Sequence, residues 1–239
     1  MDTRTSDQIT QMREIIDRAL SRINTCIPGV IQSFNPLTQT ASVTPAVQSK
    51  KIVDGVVSYE DYPVVINVPV VFPFVTVQGF ALTLPISAGD ACILIFAQRA
   101  LDNWHDHGGV QPPEMTNGGC RHHDLTDAIA ILAAPPAPNA LSAWNTTGIE
   151  LRNEDRSNRI TLDDTGITLW VGSSTRIVIT DGQILFQVGT KTFTMTETNI
   201  ESNITINTTG DIISNDVVLD SHVHSGVEPG SGTTGGPVV

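Results

Sequence analysis

The sequence predicts an all-β chain with one helix at its N-terminus, and three observations support this fold class. Val, Ile and Thr are abundant, which favours strands over helices. Apolar residues recur at every second position through much of the chain, as in strands with one buried face. The convincing helical spacing lies in residues 5–24, where Ile9, Met12, Ile16 and Ile23 follow the i, i+3, i+4, i+7 pattern.

Residues 1–28 are therefore predicted to form a helical arm. Pro28 and Gly29 follow the helix and are typical of the segment after a helix end. The apolar side of this helix has two possible partners. It packs on its own domain, or it docks on sister subunits or on a neighbouring protein.

Residues 29–135 are predicted to form a β-domain. Strands are expected in six segments, at residues 31–34, 40–43, 53–57, 64–71, 80–84 and 92–96. Several short strands in about 100 residues suit a small closed barrel such as an OB-fold, because closure leaves no exposed sheet edge. The Pro/Ala-rich segment at 133–138 then predicts a linker and a domain boundary.

Residues 136–220 are predicted to form a ribbon of short strands. Their apolar residues come in alternating pairs, at 149/151, 160/162, 167/169, 177/179, 184/186, 204/206 and 217/219. Corresponding pairs recur roughly every 17 to 18 residues, which indicates a two-strand repeat. A thin ribbon cannot bury its apolar face alone. Either its own coils stack as a solenoid, or copies from other chains cover that face.

The charge and the cysteines limit the classes of partner and compartment. The formal net charge of −12 argues against nucleic acid and against charge-driven binding to anionic headgroups. Cys26, Cys92 and Cys120 form no C-x-x-C pair, so we expect buried thiols in a reducing compartment. The N-terminus lacks the apolar core of a secretory signal, so synthesis in the cytosol is expected.

The histidines of the barrel region form two clusters, His105 with His107 and His122 with His123. With Asp106 and Asp124 nearby, they suggest a metal-dependent hydrolase, since imidazole and carboxylate are common zinc ligands. Their spacing matches no H-E-x-x-H signature, and polar loop residues are equally consistent with it.

A third pair, His222 and His224, lies near the C-terminus. On an extended segment, side chains at i and i+2 face the same way. Three chains on a threefold axis would supply six imidazoles, an octahedral set that suits iron or another octahedral-tolerant metal better than tetrahedral zinc. The alternative is an exposed pair on a frayed tail. The chemistry leaves both open.

Two groups of motifs resemble one known family. The first lies in the barrel region, at residues 31–36, 41–43, 68–73, 82–85, 89–90, 102–104 and 121–128. The second is Ser-His-Val-His-Ser-Gly at 221–226, followed by Gly-Gly-Pro at 235–237. The first group resembles the N-terminal domain of membrane-piercing central spike proteins in contractile-tailed phage baseplates, which are similar to baseplate assembly protein V. The second is similar to the apex segment of the wider spike family.

The resemblance implies a homotrimer with no enzymatic activity and no small-molecule substrate. Its parts are an OB-fold collar at 29–135, an intertwined trimeric β-helix at 136–220 and an apex at 221–239. The apex is expected to hold one iron ion through His222 and His224 of each chain. The spike would cap the tail tube, contact hub and baseplate proteins, and pierce the host outer envelope when the sheath contracts. Its implied location is the baseplate tip of the virion, after assembly in the host cytoplasm.

Two other functions are consistent with the same patterns. A trimeric receptor-binding fibre would recognise glycans with exposed aromatic rings, and after Trp170 the candidates are Phe186 and Phe193. A metal-dependent hydrolase of envelope polymers would need paired carboxylates or an open metal site. The sequence shows neither pattern.

Overall fold

A computed structural model describes residues 3–21, 23–116, 119–132 and 135–219, together with Gly226 and Gly230. The chain divides into two units, Met1–Ala140 and Leu141–Val239. Strands predominate in the described parts of both. The prediction of a mostly β chain with an N-terminal helix is confirmed. Neither described α-helix is long and apolar enough to cross a membrane.

The N-terminal helix α1 spans Thr3–Leu20, so it begins before residue 5 and ends well before residue 24. It ends where the Ser21 hydroxyl bonds the Arg18 carbonyl at 2.9 Å, satisfying an acceptor that the helix leaves open. Its apolar residues, including Ile9 and Met12, are exposed. In the described residues, the apolar side of the helix is therefore not packed against the rest of the first unit.

Eleven strands are described in the first unit. They are β1 (Cys26–Asn35), β2 (Thr40–Pro45), β3 (Gln48–Val53), β4 (Val56–Asp61), β5 (Val65–Val71), β6 (Phe74–Val75), β7 (Phe80–Ala81), β8 (Ala91–Phe96), β9 (Met115–Thr116), β10 (Gly119–Cys120) and β11 (Ala128–Leu132). A short helix, α2 (Asp102–His107), follows β8 and was not predicted.

Five of these strands close into a barrel in the order β1-β2-β5-β11-β8, with β8 pairing back to β1. The β5–β11 pair is parallel and the others are antiparallel. Alternate residues face the interior, as Cys92, Leu94 and Phe96 do on β8. The closed barrel expected from the strand spacing is confirmed.

The alternation breaks on β1, where the pairing with β2 shifts between Ile31 and Ser33, and again on β5. Val65 is buried, but the next buried residue is Val68. The pairing with β2 shifts there, and Asn67 adopts a left-handed φ of 57°. The extra residue is a β-bulge, which changes the face of the following side chains.

Gly29 lies inside β1 and is not part of a linker after the helix. A Cβ atom at this position would come within 2.6 Å of Val43 Cγ1 and 3.1 Å of Cys92 Sγ. The glycine is therefore required by the close approach of β1 to the two strands beside it.

The prediction of one strand over residues 53–57 is wrong. Asp54 and Gly55 have φ values of 51° and 79° and form the two-residue turn between β3 and β4. Asp-Gly is a strong signal for such a hairpin, because both positions need a positive φ. The strand expected at 80–84 is also shorter, since β7 ends at Ala81.

Nine strands are described in the second unit. They are β12 (Gly148–Arg152), β13 (Asn158–Asp163), β14 (Gly166–Val171), β15 (Thr175–Thr180), β16 (Gln183–Val188), β17 (Lys191–Thr196), β18 (Ile200–Ser202), β19 (Ile213–Ser214) and β20 (Val217–Val218).

The strands β12 to β18 form one antiparallel sheet in sequence order, here called the ribbon. This order excludes a solenoid of stacked coils for these described strands. Five of the predicted apolar pairs lie in β12 to β16, whereas Ile204 and Ile206 lie outside any strand. The strand β17 has the same alternating pattern, with Phe193 and Met195 two residues apart, and lies outside the predicted pairs.

Candidate functional site

The ribbon carries two rows of apolar side chains on one face, which we call the apolar face. Cross-strand pairing places opposed residues on the same side of the sheet. The first row is Ile149, Leu162, Ile167, Ile179, Ile184, Met195 and Ile200. The second row is Leu151, Ile160, Leu169, Ile177, Phe186 and Phe193.

None of these side chains is buried, and most are exposed. Ile149, at the edge of the ribbon, is 74% exposed. Covering apolar surface is worth roughly 25 cal/mol per Å², and scattered surface residues do not form such continuous rows. The apolar face thus has the character of a surface that another surface covers.

Phe186 and Phe193 lie in the second row and contact each other. Their ring centroids are 6.2 Å apart in an edge-to-face arrangement. They are part of the apolar face, whereas a glycan-binding fibre would need rings on a polar, accessible surface. Both aromatic candidates of the fibre hypothesis therefore lie on the apolar face.

The opposite side of the ribbon, here called the polar face, holds a buried carboxylate. The Glu150 side chain is only 5% exposed. Arg156 donates to both of its oxygens, from Nε at 2.9 Å and from Nη2 at 2.8 Å. Arg152 Nε lies 3.6 Å from the same group. The hydrogen bonds from Arg156 lower the pKa of Glu150, so the carboxylate is held ionised.

Trp170 lies beside two arginines on the polar face. It is opposed by Arg159 of β13 on one side and by Arg176 of β15 on the other. The guanidinium carbons lie 4.6 Å and 5.0 Å from the ring centroid, within the range for cation–π contacts. The ribbon therefore has chemically distinct faces, one apolar and one with clustered charge.

Three of the four histidines in the barrel region contact separate protein groups, whereas the buried Nδ1 of His123 has no hydrogen-bond partner among the described residues. His122 Nδ1 is 2.5 Å from Arg99 Nη1, and His107 Nδ1 is 3.1 Å from the Asn103 carbonyl. His105 Nδ1 lies 3.6 Å from Asp106. In the part of the chain that the structure describes, no three His, Cys, Asp or Glu side chains are grouped to hold a metal ion. The structure thus does not assemble the predicted hydrolase cluster.

A polar cluster that the sequence did not reveal lies at the barrel. Asp127 is buried and accepts hydrogen bonds from Arg121 and from the Leu101 N–H. Arg121 also contacts Asp102, which joins α2 to the segment before β11. In the sequence, residues 121–127 contain both acidic and basic side chains. That composition does not show which of these side chains form ion pairs.

His222 and His224, the predicted metal ligands, lie outside the described residues. Their role as ligands therefore stays a prediction. The chemistry of the donor set still fits the group, because imidazole nitrogens bind iron and other first-row metals. Two imidazoles from one chain fill two of the six positions of an octahedral ion.

Two family models match the chain. The model of the phage protein Gp138 N-terminal domain matches residues 27–133, and the barrel lies within them. The model of the GpV Apex motif matches residues 216–238, which include both C-terminal histidines. The resemblance to phage baseplate spike proteins is confirmed. No curated protein matches the chain at a significant level.

A role as a baseplate spike protein follows from the two families. They also imply a place in the tail of the phage virion and association with other baseplate proteins. Because these are families of structural proteins, they favour a structural role over an enzymatic one.

Proposed function

We propose that this spike protein is the homotrimeric central spike of a contractile phage tail baseplate. In this role it caps the tail tube and pierces the host outer envelope when the sheath contracts. The observation that carries the proposal is the apolar face of the ribbon, whose rows are exposed in the single chain. Three copies around one axis would turn these faces inward and bury them together.

The proposed parts follow the chain in order. Residues 1–28 form the arm, 29–135 the OB-fold collar, 136–220 the trimeric β-helix and 221–239 the apex. The ribbon supports this division, because each of its strands pairs only with its sequence neighbours. A sheet of this kind has two free edges and one apolar face, and intertwining with other copies would cover both kinds of surface.

The apex is proposed to hold an iron ion through His222 and His224 of each chain. Chain termini fray unless something holds them. When bound, the ion would cross-link three termini, so metal binding would couple to assembly. The imidazoles at i and i+2 provide neutral nitrogen donors on the same side of an extended segment.

Native mass spectrometry combined with elemental analysis tests the proposal. We expect a trimer with about one iron ion per three chains, because six imidazoles complete one octahedral set. A metal-free monomer would contradict the proposed spike. Turnover of peptidoglycan or polysaccharide by the pure protein would instead support a hydrolase.

A further inference from the structure

Four of the five Lys and Arg residues of the second unit lie on or beside one side of the ribbon. All four arginines of residues 141–239 lie on or beside the polar face, and they are Arg152, Arg156, Arg159 and Arg176. We propose that Arg159, Trp170 and Arg176 bind the phosphate groups of anionic lipid headgroups.

Arg159, Trp170 and Arg176 form a stack across three neighbouring strands. The strand β14 lies between β13 and β15, so Trp170 has an arginine as its cross-strand neighbour on either side. Both guanidinium carbons lie within 5.0 Å of the ring centroid. Contact with a ring restrains a guanidinium group without using its N–H donors. The two cations are thus held on either side of the Trp170 ring on the sheet.

Arg159 and Arg176 each have more N–H donors than the hydrogen bonds they form. A guanidinium group has five N–H donors. Arg159 donates from Nη1 to the Arg156 carbonyl at 2.7 Å, and Arg176 from Nε to Gln187 Oε1 at 2.7 Å. Neither forms an ion pair with any residue that the structure describes.

The neighbouring carboxylates accept hydrogen bonds from other groups and not from Arg159 or Arg176. Glu150 is already bonded on both oxygens by Arg156. Asp155, in the turn after β12, accepts from Ser157 instead. The charge of Arg159 also helps to lower the pKa of Glu150, but among the described residues neither Arg159 nor Arg176 donates a hydrogen bond to a carboxylate. N–H donors on both sides of the ring are therefore left for phosphate groups, which accept paired N–H donors.

The surroundings of the two arginines indicate which molecule carries the phosphate. The stack lies on an open, half-exposed sheet face, which suits groups carried on a surface better than a small ion that needs an enclosing pocket. An indole ring beside cationic groups is also typical of the membrane–water interface. Anionic headgroups of a bilayer meet both conditions.

The net charge of −12 does not prevent this contact. At physiological ionic strength, charges beyond about 8 Å are largely screened, so the local arginines dominate at the contact. The expectation from composition, that anionic headgroups are not bound, treats the charges as evenly spread. The proposal depends on the spike function only in bringing this face to an envelope.

The experiment uses the full chain with Trp104→Phe and Trp144→Phe, so that Trp170 is the only tryptophan. Both replaced side chains are exposed. Flotation with phosphatidylcholine vesicles, with and without phosphatidylglycerol, measures binding, and Trp170 emission reports contact. We expect binding only to the vesicles that contain phosphatidylglycerol. Arg159→Gln with Arg176→Gln should weaken it by about tenfold or more, given the contribution of each arginine near an anionic surface.

The matched control removes the same charge elsewhere, through Arg13→Gln with Arg18→Gln in α1. These exposed helix residues should leave vesicle binding unchanged. Equal weakening by both pairs would overturn the proposal, and so would absence of vesicle binding. Binding of pyrophosphate in solution without vesicle binding would also overturn the lipid assignment.

Native mass spectrometry of the Arg159→Gln, Arg176→Gln variant separates the two proposals. Loss of the trimer in this variant would show that the arginines bind a neighbouring copy, which overturns lipid binding and leaves the spike intact. A monomer that still binds the vesicles through the arginines would contradict the spike and support the lipid site.

Discussion

Asp127 receives a two-pronged contact from Arg121 at the barrel. Arg121 Nε lies 3.0 Å from Oδ2, and Nη2 lies 2.8 Å from Oδ1. The side chain of Asp127 is only 1% exposed. The hydrogen bonds between Arg121 and Asp127 are the largest cause of the raised pKa of Arg121. Arg121 therefore stays charged at every accessible pH. The pair ties the loop before β11 to the segment that begins α2.

Replacing Asp127 with Ala should destabilise the barrel strongly, because it removes the buried acceptor that Arg121 and the Leu101 N–H share. We expect a loss of about 3 kcal/mol, at the low end of the range for buried pairs since Arg121 is partly exposed. Urea unfolding followed by Trp104 emission, in a chain with Trp144→Phe and Trp170→Phe, measures it. Asp106→Ala in α2 is the control, because its side chain is 70% exposed. Equal losses in the two variants would show that the pair is not structural.

Cys92 should be unreactive in the folded protein. Burial in the barrel raises the pKa of its thiol to about 11, so very little reactive thiolate forms at pH 8. The expectation of buried thiols is wrong for Cys26, which is exposed and provides an internal comparison. Iodoacetamide labelling followed by peptide mass spectrometry should modify Cys26 readily and Cys92 only after unfolding. Fast labelling of Cys92 in the native state would contradict the barrel core.

The ribbon should lose stability in acid through Glu150. Its pKa is lowered from the ordinary 4.5, so its contribution is complete above that value and disappears as the pH falls through the lower, folded-state pKa. Thermal unfolding should therefore show a fall in the midpoint below about pH 4.5 that Glu150→Gln reduces. Glu154→Gln, in the adjacent turn, should keep the full pH dependence. An unchanged profile in Glu150→Gln would mean that other carboxylates cause the acid loss.

A charge on the apolar face should prevent trimer formation. Ile167→Asp places a carboxylate in the first row, where three copies would have to bury it without a partner. Thr168→Asp is the matched control, because the next residue on the same strand points to the other face. Native mass spectrometry should show a monomer for Ile167→Asp and a trimer for Thr168→Asp. The reverse result would place the interface on the polar face.

Removing the apex imidazoles should abolish metal binding while the barrel remains folded. His222→Ala with His224→Ala deletes the proposed ligands, whereas His105→Ala with His107→Ala keeps them. Elemental analysis should find iron only in the second variant, and circular dichroism should show strands in both. If the first variant lost all trimer, the ribbon would not be the main source of assembly.

The barrel could be predicted from sequence because burial alternates along its strands. Cys92, Leu94 and Phe96 show this directly. The bulge at Asn67 could not be predicted, since it arises from the pairing of β5 with β2. The Asp54-Gly55 hairpin is predictable from sequence, because its turn chemistry is local, although the valines on either side also fit one continuous strand.

The sequence by itself determined the β character, the alternation of the ribbon and the His-x-His spacing at 222–224. These properties depend on neighbours along one chain, where the backbone geometry is regular. Only the tertiary structure decided that Trp170 lies between Arg159 and Arg176, and that Asp127 pairs with Arg121. Such contacts depend on strand register and loop paths, which bring together residues that no local period relates.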